Sequence, residues 1–230
     1  MKKTVFTLIL ALSAFVGVNA QSSIYSKTDK LVFDDLTSDP TSKIPQSYDK
    51  VTAEGDLNKD GIKDFIVIAY PTDETNIEDP SEEGFPIDNN QPTMAIYFGT
   101  DNNQYKKFKE YPKSIAPKGY GLSCNLSITE KGLIRFEFLQ FKYKAADEYG
   151  TNVYLFRYQN NDFFMIGKTE YKYWDPWTWS QESSTVSYNF LTGKMSTSTT
   201  DEETGKKETK WDTCSKDLIE LSKYVLNLGN

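Results

Sequence analysis

The sequence predicts a mainly β protein with antiparallel sheets and a short C-terminal α-helix. Short runs rich in aromatic and β-branched residues recur along the chain, as they do in strands. Polar or glycine-containing turns separate several of these runs at the spacing of hairpins. No long helical pattern lies between the runs, so the alternation of strands and helices that builds a parallel sheet is not indicated.

Two continuous apolar runs, 65–70 and 94–98, are the first strong strand signals. Such strands have no polar face for water, so we expect them to be buried on both faces. In the next strand-like stretch, 134–143, apolar residues alternate and then change parity at Leu139. A change of parity moves side chains to the other face of a sheet, which predicts a bulge or a bend.

Later strands are predicted in pairs around turns at 159–162, 191–193 and 203–206, and the last strand runs through Trp211. Beyond it, residues 215–228 predict the helix, because their apolar residues fit one helical face. These apolar residues are Leu218, Ile219, Leu221, Val225 and Leu226.

The segment 71–92 differs in composition from its surroundings. It contains many acidic residues, no basic residue, and a proline at each end. Prolines interrupt the hydrogen-bond ladder of a strand, so we expect a long exposed loop. Such a loop is either a functional contact surface or a solvated insertion.

Residues 1–20 are predicted to be a cleavable secretory signal peptide. Two lysines give the positive start, the apolar stretch 5–18 follows, and Ala20 provides a small residue for cleavage. The stretch is shorter than the ~20 residues that span a bilayer, which disfavours an uncleaved membrane anchor. We therefore expect residues 21–230 to form a single β-rich domain, exported to the periplasm or the extracellular space without membrane insertion.

The composition of the chain excludes several classes of function. Its 33 Asp and Glu outnumber its 26 Lys and Arg, and the net charge of −7 disfavours binding to nucleic-acid phosphates. The chain has no histidine, which excludes Ser-His-Asp and Cys-His nucleophile pairs and removes the usual ligand of catalytic zinc. Carboxylate chemistry, as in glycoside hydrolysis, is compatible with this composition.

The two cysteines, Cys124 and Cys214, are a candidate disulfide. An exported protein meets oxidising conditions, in which such a bond forms and persists. The alternative is two separate buried thiols, because the sequence does not show that the two residues approach each other.

The most specific motif is Gly55-Asp56-Leu57-Asn58-Lys59-Asp60-Gly61-Ile62-Lys63-Asp64. Oxygen-bearing side chains fall at alternate positions around a glycine turn, and Ca²⁺ is bound by carboxylate, amide and carbonyl oxygens. The alternative is an ordinary Asp-Gly turn with surface acids. The predicted calcium ligands are the side chains of Asp56, Asn58, Asp60 and Asp64 and the carbonyl of Ile62.

This motif resembles the calcium loop of FG-GAP and VCBS-type β-propeller blades, in which D-x-[D/N]-x-D-G-x-x-D lies between two strands. The likeness covers residues 48–70. More loosely, the chain resembles secreted bacterial proteins of unknown function that carry one such loop and a later segment like 185–194. The resemblance implies a calcium ion held by this loop, and it implies no particular activity. We expect the ion to be structural, because its apparent ligands all lie in one local loop at the start of a strand. We expect the antiparallel sheets to be sandwich-like or partial propeller-like.

Trp174, Trp177 and Trp179 form a dense aromatic cluster around a proline. If these rings are exposed, they offer flat apolar faces to a sugar or to a partner protein, which makes them a candidate ligand-contact surface. If they are buried, they fill a core.

Together these features predict a calcium-stabilised binding or interaction protein, not an enzyme, whose ligand is a protein or a carbohydrate. Two other functions stay open: a carboxylate-based glycan hydrolase and a purely structural envelope protein. Paired carboxylates in a cleft would favour the hydrolase. The candidate acids for that chemistry are Glu137, Asp147, Glu148 and Asp175.

Overall fold

The computed structural model describes residues 30–78, 86–119, 124–140, 150–172, 182–201 and 203–226, and the predicted signal peptide lies outside them. Within these ranges the chain is mainly β, as predicted, with two short 3₁₀ turns at Glu74–Asn76 and Leu221–Lys223. The strands, numbered in chain order, are β1 Leu36–Thr37, β2 Tyr48–Gly55, β3 Asp64–Pro71, β4 Ile77–Glu78, β5 Ile87–Asp88, β6 Thr93–Gly99, β7 Tyr105–Tyr111, β8 Cys124–Ile128, β9 Leu133–Gln140, β10 Gly150–Gln159, β11 Asp162–Lys172, β12 Glu182–Asn189, β13 Lys194–Asp201 and β14 Lys207–Thr213.

The described strands form two large antiparallel sheets and one small hairpin. The first sheet has five strands in the order β1-β7-β6-β3-β2, and the second has seven in the order β14-β13-β12-β11-β10-β9-β8. Strands β4 and β5 pair with each other. In the second sheet every strand lies beside its neighbour in the chain, as do β2 with β3 and β6 with β7 in the first, because tight turns join antiparallel strands without a crossover.

The two large sheets share one apolar core and so form the sandwich-like alternative. Phe98 of the first sheet packs on Tyr158 of the second with ring centroids 5.1 Å apart, and Phe108 packs on Phe163 at 5.8 Å. These edge-on contacts bury Phe163 fully and the other three rings in part, and they add a favourable aromatic geometry. The rest of this core includes Ile66, Ile68, Met94, Ile96, Phe136, Tyr154, Phe156 and Met165.

Strand β3 is buried on both faces, which confirms the prediction from its continuous apolar run. Ile66 and Ile68 point into the core between the sheets. Phe65 and Val67 point the other way, into a second cluster that the N-terminal segment closes with Phe33 and other apolar residues. Side chains of a strand alternate between faces, so a strand between two clusters needs an apolar residue at every position.

The predicted hairpins are confirmed. Strands β10 and β11 join through Asn160 and Asn161, whose φ angles of 50° and 59° are those of a two-residue turn that follows the twist of its strands. Strands β12, β13 and β14 pair in succession through the other two predicted turns. Asparagine tolerates positive φ better than most residues, so the first turn suits its sequence.

The alternation at 134–138 is also confirmed. Ile134, Phe136 and Phe138 are buried, and the residues between them in β9 are partly exposed. The predicted change of parity continues into residues 141–143, which lie outside the described residues. A register shift occurs instead between Leu155 and Phe156, in the pairing of β10 with β11.

The predicted C-terminal helix is wrong over 215–226, where a single 3₁₀ turn is the only helical element. Within this turn the backbone bonds to itself, as from the Lys223 N–H to the Glu220 carbonyl, but other backbone groups of the segment bond to distant elements. The Met165 N–H donates to the Ile219 carbonyl at 2.9 Å, and the Leu226 N–H donates to the Ser114 carbonyl at 2.7 Å. These bonds leave Leu221 and Leu226 buried in the core between the sheets, so tertiary packing overrides helical periodicity.

The acidic segment 71–92 contains short elements rather than a loop alone. Asp73 caps the first 3₁₀ turn by accepting a hydrogen bond from the Thr75 N–H at 2.9 Å. The β4–β5 hairpin follows, and residues 79–85 lie outside the described residues. Residues 74–78 are exposed, as predicted.

The predicted disulfide is not formed, and both cysteines are free thiols. Cys124 begins β8 and Cys214 follows β14, which are the opposite edges of the seven-stranded sheet. Six strand spacings of about 4.8 Å separate those edges, whereas a disulfide needs Cα atoms within about 7 Å. Burial raises the pKa of the Cys124 thiol to about 12, so this thiol stays protonated.

Candidate metal-binding loop

The predicted calcium loop joins β2 to β3 at the junction of the two large sheets. Leu57 anchors it by inserting into the shared core, where its side chain is 2% exposed. Gly55 and Gly132 mark how closely the loop lies against the β8–β9 hairpin of the second sheet. A Cβ atom on Gly55 would lie 2.6 Å from a methyl carbon of Ile128, and one on Gly132 would lie 2.5 Å from the Asp56 carbonyl oxygen.

The backbone of the loop turns twice through the left-handed region. Lys59 has a φ of 66° and Gly61 a φ of 86°. Glycine adopts this conformation freely, whereas lysine pays roughly 1–2 kcal/mol. Hydrogen bonds to polar side chains of the motif offset this conformational cost. Asp56 accepts a hydrogen bond from the Lys59 N–H at 2.6 Å through one carboxylate oxygen and from the Gly61 N–H at 3.0 Å through the other.

Asn58 and Asp60 continue this pattern one turn further on. The Asn58 amide oxygen accepts from the Asp60 N–H at 3.0 Å, and an Asp60 carboxylate oxygen accepts from the Ile62 N–H at 2.8 Å. The Asn58 amide nitrogen also donates to Asp60 at 2.9 Å. Asp56, Asn58 and Asp60 therefore each accept from a backbone N–H further along the same loop, as short polar residues do in tight turns.

Asp64 is the buried member of the motif. It is 0% exposed, and its two carboxylate oxygens accept hydrogen bonds from backbone N–H groups of Leu57 at 2.7 Å, Asn58 at 3.3 Å and Gly99 at 2.9 Å. Burial raises the pKa of the Asp64 carboxyl to about 6; its hydrogen bonds oppose the rise, and the charge of Asp60 adds to it. Asp64 thus joins the loop to the end of β6 at an electrostatic cost.

The predicted ligands do not all converge. Asn58 and Asp60 are in contact, whereas Asp56 and Asp64 face backbone N–H groups. In the part of the chain that the structure describes, no group of three or more His, Cys, Asp or Glu side chains could hold a metal ion. The donors are nevertheless all oxygens, the type that Ca²⁺ prefers, and each carboxylate oxygen has two acceptor positions.

No family model, curated protein or solved structure matches this chain. Its function is therefore inferred from the residues and their geometry.

An open pocket of about 510 Å³ lies beside the loop. Gly61, Ile62 and Lys63 form one wall, and Thr100, Gln104 and Tyr105 contribute to another. Hydroxyl, amide and phenol groups beside an aromatic ring suit a small polar ligand. Sequence reasoning missed this pocket, because its second wall comes from the β6–β7 turn, which carries no motif.

The other predicted functional residues are not brought into a site. Trp174, Trp177 and Trp179 lie outside the described residues, as do Asp147, Glu148 and Asp175. Glu137 forms an ion pair with Arg135 on the outer face of β9. Trp211 on β14 is the most exposed large aromatic residue in the described part of the chain, at 72% exposure. None of the described helices is long and apolar enough to cross a membrane.

Proposed function

We propose that this chain is an exported binding protein whose β2–β3 loop, residues 55–64, holds a structural calcium ion. The observation that carries the proposal is the buried Asp64 carboxylate, placed where the loop meets the end of β6. Burying a carboxylate costs free energy unless hydrogen bonds or a counter-charge compensate. Its pKa of about 6 indicates that the backbone N–H groups compensate only in part.

A cation supplies the missing counter-charge. Asp56, Asn58, Asp60, Asp64 and the Ile62 carbonyl would hold it. The carboxylates keep acceptor positions for the ion, because a carboxylate has about four and Asp56 uses two and Asp64 three for N–H groups. The ion's chemistry is electrostatic: it neutralises carboxylates that repel one another. An ordinary Asp-Gly turn needs no buried acid, and this difference favours the metal site over the simple turn.

The ion has a structural role in this proposal because the loop touches both sheets. Leu57 lies in the shared core, and the Asp56 carbonyl lies against Gly132 of the β8–β9 hairpin. A ligand that binds only the folded state stabilises it by about 2.7 kcal/mol at a concentration of 100 Kd. We assign the biological role to binding of a protein or a carbohydrate, for which the pocket beside Tyr105 offers a polar surface with an aromatic ring.

The export of the protein rests on residues 1–20, whose charge and apolar pattern are those of a signal peptide. A glycan hydrolase is less well supported, because Glu137, the one candidate acid among the described residues, is engaged by Arg135. Nothing in the described residues favours a purely structural envelope protein over a binding protein.

Thermal unfolding with and without calcium tests the metal site. We expect the melting temperature to rise by several degrees on going from EDTA to excess Ca²⁺, and not with Mg²⁺, because Mg²⁺ demands a tighter octahedral site. Asp60→Ala should abolish the shift, and Asp217→Ala, an exposed acid in the segment after β14, should leave it unchanged. An equal shift in wild type and Asp60→Ala would assign the effect to another site.

A further inference from the structure

Strand β14 is an exposed edge of the seven-stranded sheet. It has one neighbour among the described strands, β13, and all seven of its residues are exposed. The edge is also regular: β13 and β14 pair without a register shift from Lys194 and Thr213 to Thr200 and Lys207. A regular edge of this kind is a template for pairing with another strand.

The backbone groups of this edge that have no partner among the described residues are those of Lys207, Thr209 and Trp211. The Cys214 N–H donates to the Gly193 carbonyl at 3.0 Å, so the even-numbered residues of β14 bond to β13 and the odd-numbered residues face outward. At Thr213 the outward N–H is already held by the Asp212 carboxylate at 2.7 Å. The free edge therefore ends after Trp211.

The charges along β14 complement a second copy of the same strand. In an antiparallel pair centred on Thr209, Glu208 lies opposite Lys210 of the second copy, and the same pair recurs on the other side of the centre. Lys207 lies opposite Trp211, where an ammonium group and an indole ring attract each other. This register uses all three outward-facing residues, because Thr209 pairs with itself and Lys207 pairs with Trp211.

The neighbouring registers are less favourable. A pair centred on Lys210 places that lysine opposite itself and Glu208 opposite Asp212, which repel. A pair centred on Trp211 relies on the Thr213 N–H, which is already bonded, and leaves Lys207 without a partner strand.

We infer that two copies of this chain associate through their β14 strands, antiparallel and centred on Thr209, into one continuous sheet. The contact is isologous, as in most homodimers. It shields the indole of Trp211, which is 72% exposed in the single chain. The dimer does not depend on the calcium ion, because the loop 55–64 belongs to the other sheet.

Molar mass measured by light scattering across a range of protein concentrations tests the dimer. The wild type should approach twice its monomer mass, and EDTA should not change this. Lys210→Glu should weaken association at least tenfold, because it places two acids opposite each other, and Glu208→Lys with Lys210→Glu should restore it. The matched control is Lys113→Glu, which makes the same charge change at an exposed site away from β14. A monomeric wild type, or a Lys210→Glu variant that associates normally, overturns the proposal.

Cysteine cross-linking tests the register. Directly opposed residues with paired backbone groups have Cα atoms about 5.5 Å apart, within the range of a disulfide. In a Cys214→Ser background, Thr209→Cys should therefore give a cross-linked dimer on mild oxidation. Trp211→Cys should not, because its copies would lie about 13 Å apart along the strands. Equal cross-linking of the two variants, or none in Thr209→Cys, contradicts the register.

Discussion

Asp64 shows how one side chain connects local sequence to tertiary structure. Its carboxylate accepts from Leu57 and Asn58 within its own loop and from Gly99, at the end of a different strand. The first two partners close the loop, and the third fixes the loop to β6. The same burial that excludes water from these bonds raises the pKa of the carboxyl to about 6, so the side chain organises the fold at a cost that a cation would relieve.

We predict that Asp64 makes the metal-free protein less stable as the pH rises from 3.8 to about 6. The folded state binds the proton more tightly than the unfolded state in this window, so deprotonation favours unfolding. The contribution reaches about 3 kcal/mol, from roughly two pKa units at 1.36 kcal/mol each. Urea unfolding in EDTA across this range measures it, and the difference between wild type and Asp64→Asn isolates it from the other acids.

We expect the Asp64→Asn substitution itself to lower the free energy of unfolding. An amide presents an NH₂ group where one carboxylate oxygen now accepts, so at least one backbone N–H loses its partner, at about 1–3 kcal/mol. The free-energy difference between variant and wild type should therefore be largest near pH 4 and should narrow as the pH rises. Parallel stability curves for the two proteins would contradict the raised pKa.

The local half of the candidate site follows from the sequence, and the tertiary half does not. Asp56, Asn58 and Asp60 bond to N–H groups of their own loop, so their spacing is enough to predict the turn. The partners Gly99 and Gly132 come from other elements, and no local pattern identifies them. For the same reason the sequence could not show that the carboxylates of Asp56 and Asp64 face backbone N–H groups and do not converge on one point.

At the scale of elements, the contact between the β8–β9 hairpin and the metal loop joins the two sheets outside their core. Gly132 has a φ of 70°, and a Cβ atom there would meet the Asp56 carbonyl oxygen at 2.5 Å. This contact cannot relax by moving a flexible side chain, because the atom it meets is backbone. A side chain at position 132 would therefore displace the hairpin or the loop.

We predict that Gly132→Ala destabilises the protein more than Gly205→Ala does. Both glycines have a left-handed backbone, but nothing lies within 4 Å of a Cβ atom on Gly205. Gly205→Ala should therefore cost only the backbone strain, roughly 1–2 kcal/mol, and the excess in Gly132→Ala measures the clash with the loop. Chemical denaturation gives both values, and calcium titration should show weaker binding in Gly132→Ala alone. Equal costs in the two variants would contradict the close contact.

The hairpins were predictable and the C-terminal segment was not, because their hydrogen bonds have different origins. Asn160 and Asn161 determine their turn through their own tolerance of positive φ. In the C-terminal segment, Leu221 and Leu226 have helical spacing with their neighbours, but the backbone of Leu226 bonds to Ser114 and Ala116, far away in the chain. The order of strands in each sheet depends on such distant partners as well.

At the scale of the whole molecule, burial is distributed unevenly over the seven-stranded sheet. Strands β9, β10 and β11 contribute Phe136, Tyr154, Phe156 and Phe163 to the core shared with the five-stranded sheet. Strands β12, β13 and β14 contribute no fully buried apolar residue, and β14 is exposed throughout. The outer part of this sheet is thus stabilised mainly by its hydrogen bonds and by cross-strand pairs of small hydroxyl residues, such as Ser198 with Thr209.

Native-state hydrogen exchange should therefore divide the seven-stranded sheet into two parts. Opening free energies fall where few apolar contacts are buried, so the β13 amides bonded to β14 should exchange faster than those of β10. The β3 amides, buried on both faces, provide an internal standard for the most stable part of the fold. Hydrogen exchange should be measured on the Lys210→Glu variant, so that association through β14 does not protect its amides. Equal protection of the β10 and β13 amides would contradict this prediction. It would show that the outer strands open only when the core unfolds, although they bury few apolar contacts.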